Sequence, residues 1–239
     1  MKQRPTIKLT QVDLRRVVLH IPADVRAIMK KSPVFLGGGF LRSVISNEKP
    51  SDIDLFGPSK DMLERAATGL ALSRKARLHS TDNAFTVLTP GRTPVQFIHR
   101  WLYEQPEKLV DEFDFTIARA AVWWNQKAEH WCSICDQDYY ADLAARRLIY
   151  CCPKREEDAG GSLMRVRKFL SKGFWIGAHD LGLVVARLMS GVKDTTETDW
   201  LENVIIGLLR EVDPLTVVDG VDIVDEHATV PTEGDETAE

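Results

Sequence analysis

The segment from Val34 to Phe56, VFLGGGFLRSVISNEKPSDIDLF, sets the tightest limit on what the chain can fold into. Val34-Phe35-Leu36 is a short apolar run closed by Gly37, Gly38 and Gly39, which reads as a buried strand ending in a turn. FLRSVIS then carries Phe40, Leu41, Val44 and Ile45 at helical spacing, and Asp52 to Phe56 alternates polar and apolar before Gly57-Pro58, as a second strand would. Asp52 and Asp54, two residues apart on that strand, point to one face and repel each other unless a positive charge lies between them. A divalent metal meets that need. Oxygen ligands of this kind suit Mg²⁺, which keeps several waters and takes further ligands from substrate phosphates. Glycines at the preceding turn let phosphate approach backbone N–H groups, with Arg42 available to neutralise charge. The residues alone therefore read as a cradle for a metal and a triphosphate.

The rest of the chain places this unit in an α+β head. VRAIMKK after Ile21-Pro22 forms a helix, Ser59 caps another through Leu72, and LHS, AFTVL and VQFIHR read as further strands of a small mixed or antiparallel sheet. Pro106 to Phe113 reads as a short helix; Phe115 to Trp123 fits either a strand or a buried helix. From Asp138 the pattern turns helical, in DYYADLAARRL, SLMRVRKFLSKG, HDLGLVVARLM and DWLENVIIGLLREV. The expected organisation is a head over 1–135, a helical appendage over 136–218 and an acidic, disordered tail over 219–239. That tail holds eight carboxylates and no Lys or Arg, so a formal charge of −4 overall leaves the preceding residues at +4, which permits polyanionic partners. No apolar stretch is long enough to span a bilayer, and MKQRPTIKLTQ lacks the apolar core of a signal peptide, so a cytoplasmic protein is expected.

Gly38-Gly39-Phe40-Leu41-Arg42-Ser43, followed by Ser51-Asp52-Ile53-Asp54-Leu55, resembles the Gly-Gly-x-x-Arg-Asp and Asp-x-Asp signature of the DNA polymerase beta-like nucleotidyltransferases, and most closely the heads of CCA-adding enzymes and bacterial poly(A) polymerases. Asp114-Phe115-Thr116-Ile117 resembles the Arg-Arg-Asp-Phe-Thr-Ile-Asn segment of those heads, and SLMRVRKFLSKGFWI loosely resembles the helix that follows them. The resemblance implies that Asp52 and Asp54 are catalytic and hold Mg²⁺ (or Mn²⁺). It implies that Gly38 and Gly39 receive the triphosphate of ATP or another NTP, that Arg42 assists with Ser43 beside it, and that Asp114 lies near the sugar. The implied reaction is attack of a hydroxyl, on RNA or a tRNA-like acceptor, at the α-phosphate with release of pyrophosphate.

The sequence also departs from that pattern. Ser43 replaces an acid, Glu112-Phe113 replaces Arg-Arg, and Ala118 replaces Asn. Asp158, Ala159 and Ser162 stand where CCA-adding enzymes carry the Glu, Asp and Arg that read the base edge, which argues against ordered CCA addition. The strand best placed to supply a third carboxylate, VQFIH, offers Gln96. Two classes of function stay open: an active nucleotidyltransferase, and a nucleotide- or RNA-binding module that has kept the cradle without turnover. A third reading makes the helices and the acidic tail a platform for protein partners. His99 and Arg100, ending a strand, could reach substrate. Arg165, Arg167 and Lys168 could face a phosphate backbone, although an ordinary solvated helix face explains them as well. The aromatic group of Trp123, Trp124, Trp131, Tyr139 and Tyr140 reads as core. Cys132 and Cys135 have the spacing of half a zinc site, but the adjacent Cys151-Cys152 pair completes it poorly, and reduced, packed thiols are the simpler reading.

Overall fold

The computed structural model describes residues 4–151, 159–190, 215–218 and 221–224. It divides into two compact units, Met1–Lys154 and Arg155–Glu239. In the first, the elements run β1 (Thr6–Ile7), α1 (Gln11–His20), α2 (Ala23–Lys31), β2 (Phe35–Gly37), α3 (Gly39–Ile45), β3 (Ile53–Phe56), α4 (Lys60–Arg74), β4 (Arg77–Ser80), β5 (Ala84–Leu88), β6 (Val95–Ile98), α5 (Pro106–Asp111), a 3₁₀ turn (Thr116–Ala118), β7 (Ala120–Asn125), β8 (His130–Asp136), α6 (Tyr139–Ala144) and β9 (Arg147–Leu148). The second contains α7 (Ala159–Ser171), β10 (Trp175–Ile176), α8 (Ala178–Ser190) and an antiparallel hairpin of β11 (Leu215–Val218) and β12 (Val221–Val224). Val221 to Val224 is thus a paired strand. The helix read in DWLENVIIGLLREV lies outside the described residues, as do residues 225–239.

The architecture is α+β, as the sequence implied. Eight strands form one sheet in the order β1-β8-β7-β2-β3-β6-β5-β4, antiparallel throughout except for the β3–β6 pair. β2 lies between β3 and β7, pairing Gly37 with Asp54 on one side and with Ala121 on the other. One face of the sheet buries Phe35, Phe56, Ala84, Ile98, Ala121 and Ile134 with Leu109 and Val110 of α5 and Tyr103 of the preceding loop. The ambiguous stretch after Phe115 resolves into the 3₁₀ turn and β7. Local chemistry sets the helix ends: the Thr10 hydroxyl accepts from the Asp13 amide at 3.1 Å to open α1, and the Ser59 hydroxyl accepts from Met62 at 3.4 Å to open α4.

A buried ion network ties the N-terminal segment to the far side of the head. Asp136, with a fully buried carboxylate, accepts from Arg4 Nε at 2.7 Å and from Arg119 Nε at 3.0 Å. Arg119 reaches on to the Asp111 carboxylate at 2.9 Å and to the carbonyl oxygens of Asp111 and Phe113 at 2.9 and 3.2 Å. Burial alone would raise the Asp136 pKa, but the Arg4 hydrogen bond, the Asp138 amide and the two cations hold it below the usual carboxylate range. Asp24 is lowered by its hydrogen bonds to Arg74.

Two outcomes follow for stability. Removing Arg119 strands a buried charge, so Arg119→Ala should cost about 3 kcal/mol in urea denaturation, with Arg4 limiting the loss; a change under about 0.5 kcal/mol would show that the network carries no stability. Asp24 and Asp136 have folded-state pKa values below their unfolded ones, so their contribution is full above about pH 4 and is lost as pH falls through the lowered values. Melting temperature should therefore drop on acidification below about pH 4, and less steeply in a Asp24→Asn variant.

Candidate functional site

The strand–turn–helix–strand unit forms as read. β2 ends at Gly37, Gly38 turns the chain with φ +70° and ψ −136°, and α3 begins at Gly39. That backbone conformation is strained for any residue with a Cβ. Space is limited at Gly37, where a Cβ would stand 3.0 Å from the Phe113 ring; at Gly38 a Cβ would meet Asp54 Oδ2 at 3.9 Å, an ordinary contact. The turn therefore lies directly over the Asp54 carboxylate. Arg42, buried on α3, folds its guanidinium back so that it lies 3.7 Å from where a Cβ of Gly39 would be, with Ser43 Oγ 3.4 Å from the same group.

Asp52 immediately precedes β3 and is 8% exposed; the Ser51 hydroxyl donates to its Oδ2 at 2.9 Å. Asp54 is half-buried, two residues further along the chain within β3. On its other flank Asp54 is in register with Gln96 of the parallel strand β6, which is 2% exposed. The glycine turn is thereby set against Asp54 at Gly38 and against the Arg42 guanidinium at Gly39. Asp114 is buried in the loop that carries Phe113, with its carbonyl accepting from the Cys151 amide at 2.7 Å.

Phe113, noted in the sequence only as a departure, and Arg119, not noted at all, hold this arrangement. Phe113 lays its ring against Gly37 and Gly38, and Arg119 grips the Phe113 carbonyl, so the ion network fixes the loop that bears Asp114 against the turn. A lone Arg inside the apolar run Ile117-Ala118-Arg119-Ala120-Ala121 was the available signal for a buried ion partner.

Other expected residues fall elsewhere. His99 lies one residue past the Phe56–Ile98 pair, whereas Asp52 lies one residue before the Ile53–Val95 pair. Because β3 and β6 are parallel, these are opposite ends of the strands, roughly 16 Å apart. His99 packs its ring on Phe85 at 4.5 Å, and burial together with Lys60 lowers its pKa. Cys132 and Cys135 lie three apart on β8, on opposite faces, and burial pushes the Cys135 and Cys151 thiols up to about 12. Cys152 lies outside the described residues. Of the aromatic group read as core, Tyr139 is fully buried, whereas Trp123, Trp124, Trp131 and Tyr140 are half-buried, Trp124 and Trp131 meeting edge to face at 5.4 Å. On α7, Arg165 is buried and Arg167 exposed, so the two do not share one solvated face. Ser162 is buried; Asp158 lies outside the described residues.

The turn yields its own test. Gly38→Ala should cost about 1–3 kcal/mol in thermal or urea unfolding, because the backbone strain is unavoidable. A neutral result would mean that the turn does not hold φ +70° in solution.

The chain is similar to the Thermotoga maritima CCA-adding enzyme complexed with tRNA(CCA), with TM-score 0.57 and 19% identity over 88% of this chain and 50% of that one. It is also similar to a CCA-adding enzyme in complex with ATP, with TM-score 0.59 and 18% identity over 88% and 49%, and to one in complex with CTP, with TM-score 0.57 and 18% identity over 88% and 50%. The chain thus spans about half the length of these proteins. At such identity the likeness shows the fold, that of a polymerase beta-like nucleotidyltransferase head. A search of curated proteins gave no match. Residues 8–146, more than half of the chain, match the family described as Gabija anti-defense 2, so the chain belongs to the Gad2 family.

Proposed function

We propose that the chain is a metal-dependent nucleotidyltransferase that moves a nucleoside monophosphate from an NTP to a hydroxyl acceptor. The observation that carries this reading is the Asp54 carboxylate set against the Gly38 turn, with Asp52 two residues before it and the Arg42 guanidinium beside Gly39. Two carboxylates on one strand face, under a turn where a Cβ would approach Asp54 Oδ2, fit a hard divalent cation that takes its remaining ligands from phosphate and water. Mg²⁺ or Mn²⁺ held there would supply charge neutralisation of the triphosphate.

The chain's own residues then have distinct tasks. Asp52 and Asp54 hold the cation, with Ser51 orienting Asp52. Gly38 and Gly39 let the triphosphate approach the backbone, Arg42 and Ser43 meet its charge, and Asp114 lies toward the sugar. The acceptor oxygen forms a bond to the α-phosphorus as the bond to the bridging oxygen of pyrophosphate breaks, and the acceptor proton leaves to solvent. RNA is the acceptor the fold relatives favour, since one of them is held with tRNA. The Gad2 description supports placing this chemistry in counteracting the Gabija defence. A second reading, a nucleotide-holding module without turnover, draws on Gln96 standing where a third acid would.

Incubation with Mg²⁺ and each α-labelled NTP, against total RNA and total protein separately, should label one acceptor class. Asp52→Asn and Asp54→Asn should each lower labelling by at least about a hundredfold, as several kcal/mol of charge stabilisation is lost with the ligand. Their melting temperatures should hold or rise, because carboxylate repulsion is relieved. Variants that label at the wild-type rate would contradict the assignment. A tRNA lacking its terminal CCA should not regain an ordered CCA end, because Ala159 offers no polar group and Ser162 is too short to read a base edge as Arg does; faithful addition of C, C and A would overturn that specificity.

A further inference from the structure

β8 (His130–Asp136) is paired on both sides, but over unequal lengths. On its inner side it pairs with β7 from Cys135 opposite Ala120 to His130 opposite Asn125. On its outer side β1 covers only Asp136 and Cys135. Two hydrogen bonds show which residues bond each way: the Asp136 amide donates inward to the Arg119 carbonyl at 2.9 Å, and the Gln137 amide donates outward to the Pro5 carbonyl at 3.1 Å. Antiparallel strands bond through alternate residues, so Ile134 and Cys132 bond inward while Cys135, Ser133 and Trp131 bond outward. The outward pair after Ile7 and Cys135 would be Leu9 with Ser133. It does not form, because the Leu9 amide donates to the Ser133 hydroxyl at 3.2 Å and the chain leaves the sheet for α1. Among the described residues, the main-chain groups of Trp131 and Ser133 therefore face an edge with no strand beside it.

Proteins usually blunt such edges; this one is recessed instead. A cleft of about 380 Å³ runs along it, lined by Gln11 and Leu14 of α1, Glu107 of α5, and Trp123, Trp131 and Cys132 of the sheet. Ile134 packs with Leu109 and Val110, so the face of β8 that bears Cys132 and Ile134 is the face toward α5, and Ser133 and Trp131 face the other way. A strand laid in the cleft would turn the residue opposite Cys132 toward Trp123, and the residues before and after it toward Trp131 and Leu14. Both faces offered to it are largely apolar. At the rim Lys8 and His130 are balanced by Glu107.

We infer that this cleft takes one extended segment of a partner protein, added antiparallel to β8 in line with β1 and carrying three consecutive apolar residues at its centre. Donors and acceptors alternating along the edge match an extended main chain, whose ladder supplies affinity while the side-chain pockets supply selectivity. A nucleic acid backbone would need a basic rim, and Glu107 stands in this one. A second copy of the chain offers only the same recessed edge, and two such edges cannot approach to the strand spacing of about 4.8 Å. β7 and β2 separate this edge from β3, so the inference stands apart from the nucleotidyltransferase reading.

The test uses the full chain with the capped pentapeptide acetyl-Thr-Val-Ile-Val-Thr-amide, and with the same peptide N-methylated at both valines. The peptide should slow hydrogen exchange at the Trp131 and Ser133 amides, read by NMR, and shift the tryptophan fluorescence. N-methylation should weaken binding about tenfold or more, the scale of one or two lost main-chain hydrogen bonds. Cys132→Lys, which puts a charge where the central isoleucine would pack, should weaken the parent peptide by a similar factor; if that variant does not fold, the N-methyl comparison decides. Absence of peptide binding, equal binding of both peptides, or protection only at other amides would overturn the inference. So would protection of Trp131 and Ser133 by a uridine decanucleotide, or a dimer in sedimentation that the peptide dissociates.

Discussion

The backbone ladder that holds β3 between β2 and β6 is the constraint on which the site depends. Pairing of Gly37 with Asp54 and of Asp54 with Gln96 fixes the height of the carboxylate against the turn on one side and the amide on the other. A slip of one residue would move Asp52 and Asp54 to the opposite face, among the residues that β3 now buries as Ile53 and Leu55. The burial of those two side chains, and of Phe56 on the site face, makes such a slip costly, so the hydrophobic pattern of a four-residue strand sets where the acids point. The polar end of that face carries the site and its apolar end carries the core.

A second layer of control reaches the turn from outside the strand unit. Arg119 joins Asp136, Asp111 and the Phe113 carbonyl, and Phe113 in turn closes over Gly37 and Gly38. The residues flanking Asp114 are therefore positioned by charges whose other partner is Arg4, near the start of the chain. Next to Asp114 an aromatic ring meets the turn where the family resemblance led one to expect an arginine, so this loop contributes shape there, not charge.

The local unit was legible because each of its signals is short-ranged: three glycines after an apolar run, an amphipathic turn of helix, and alternation ending at Gly57-Pro58. The longer geometry was not. Whether His99, at a strand end, could reach the site depended on the direction of β6, which no local pattern states; the parallel pairing with β3 carries it to the far end. α1 escaped notice because Val17 alone among its residues is buried, leaving little amphipathic pattern. β8 escaped because its sequence, HWCSICD, alternates weakly and ends in an aspartate whose burial makes sense only with Arg4 and Arg119 in view. Gln96 was legible as a departure, but its register with Asp54 was not.

The central claim is that Asp52, Asp54 and the Gly38 turn form one metal–triphosphate site. Crystals grown with Mn²⁺ and α,β-methylene-ATP test it most directly through the anomalous signal of the metal. The account expects a manganese peak about 2.1–2.2 Å from carboxylate oxygens of both Asp52 and Asp54, with the triphosphate over Gly38 and Gly39. Nucleotide bound elsewhere, or manganese coordinated away from this pair, would contradict it.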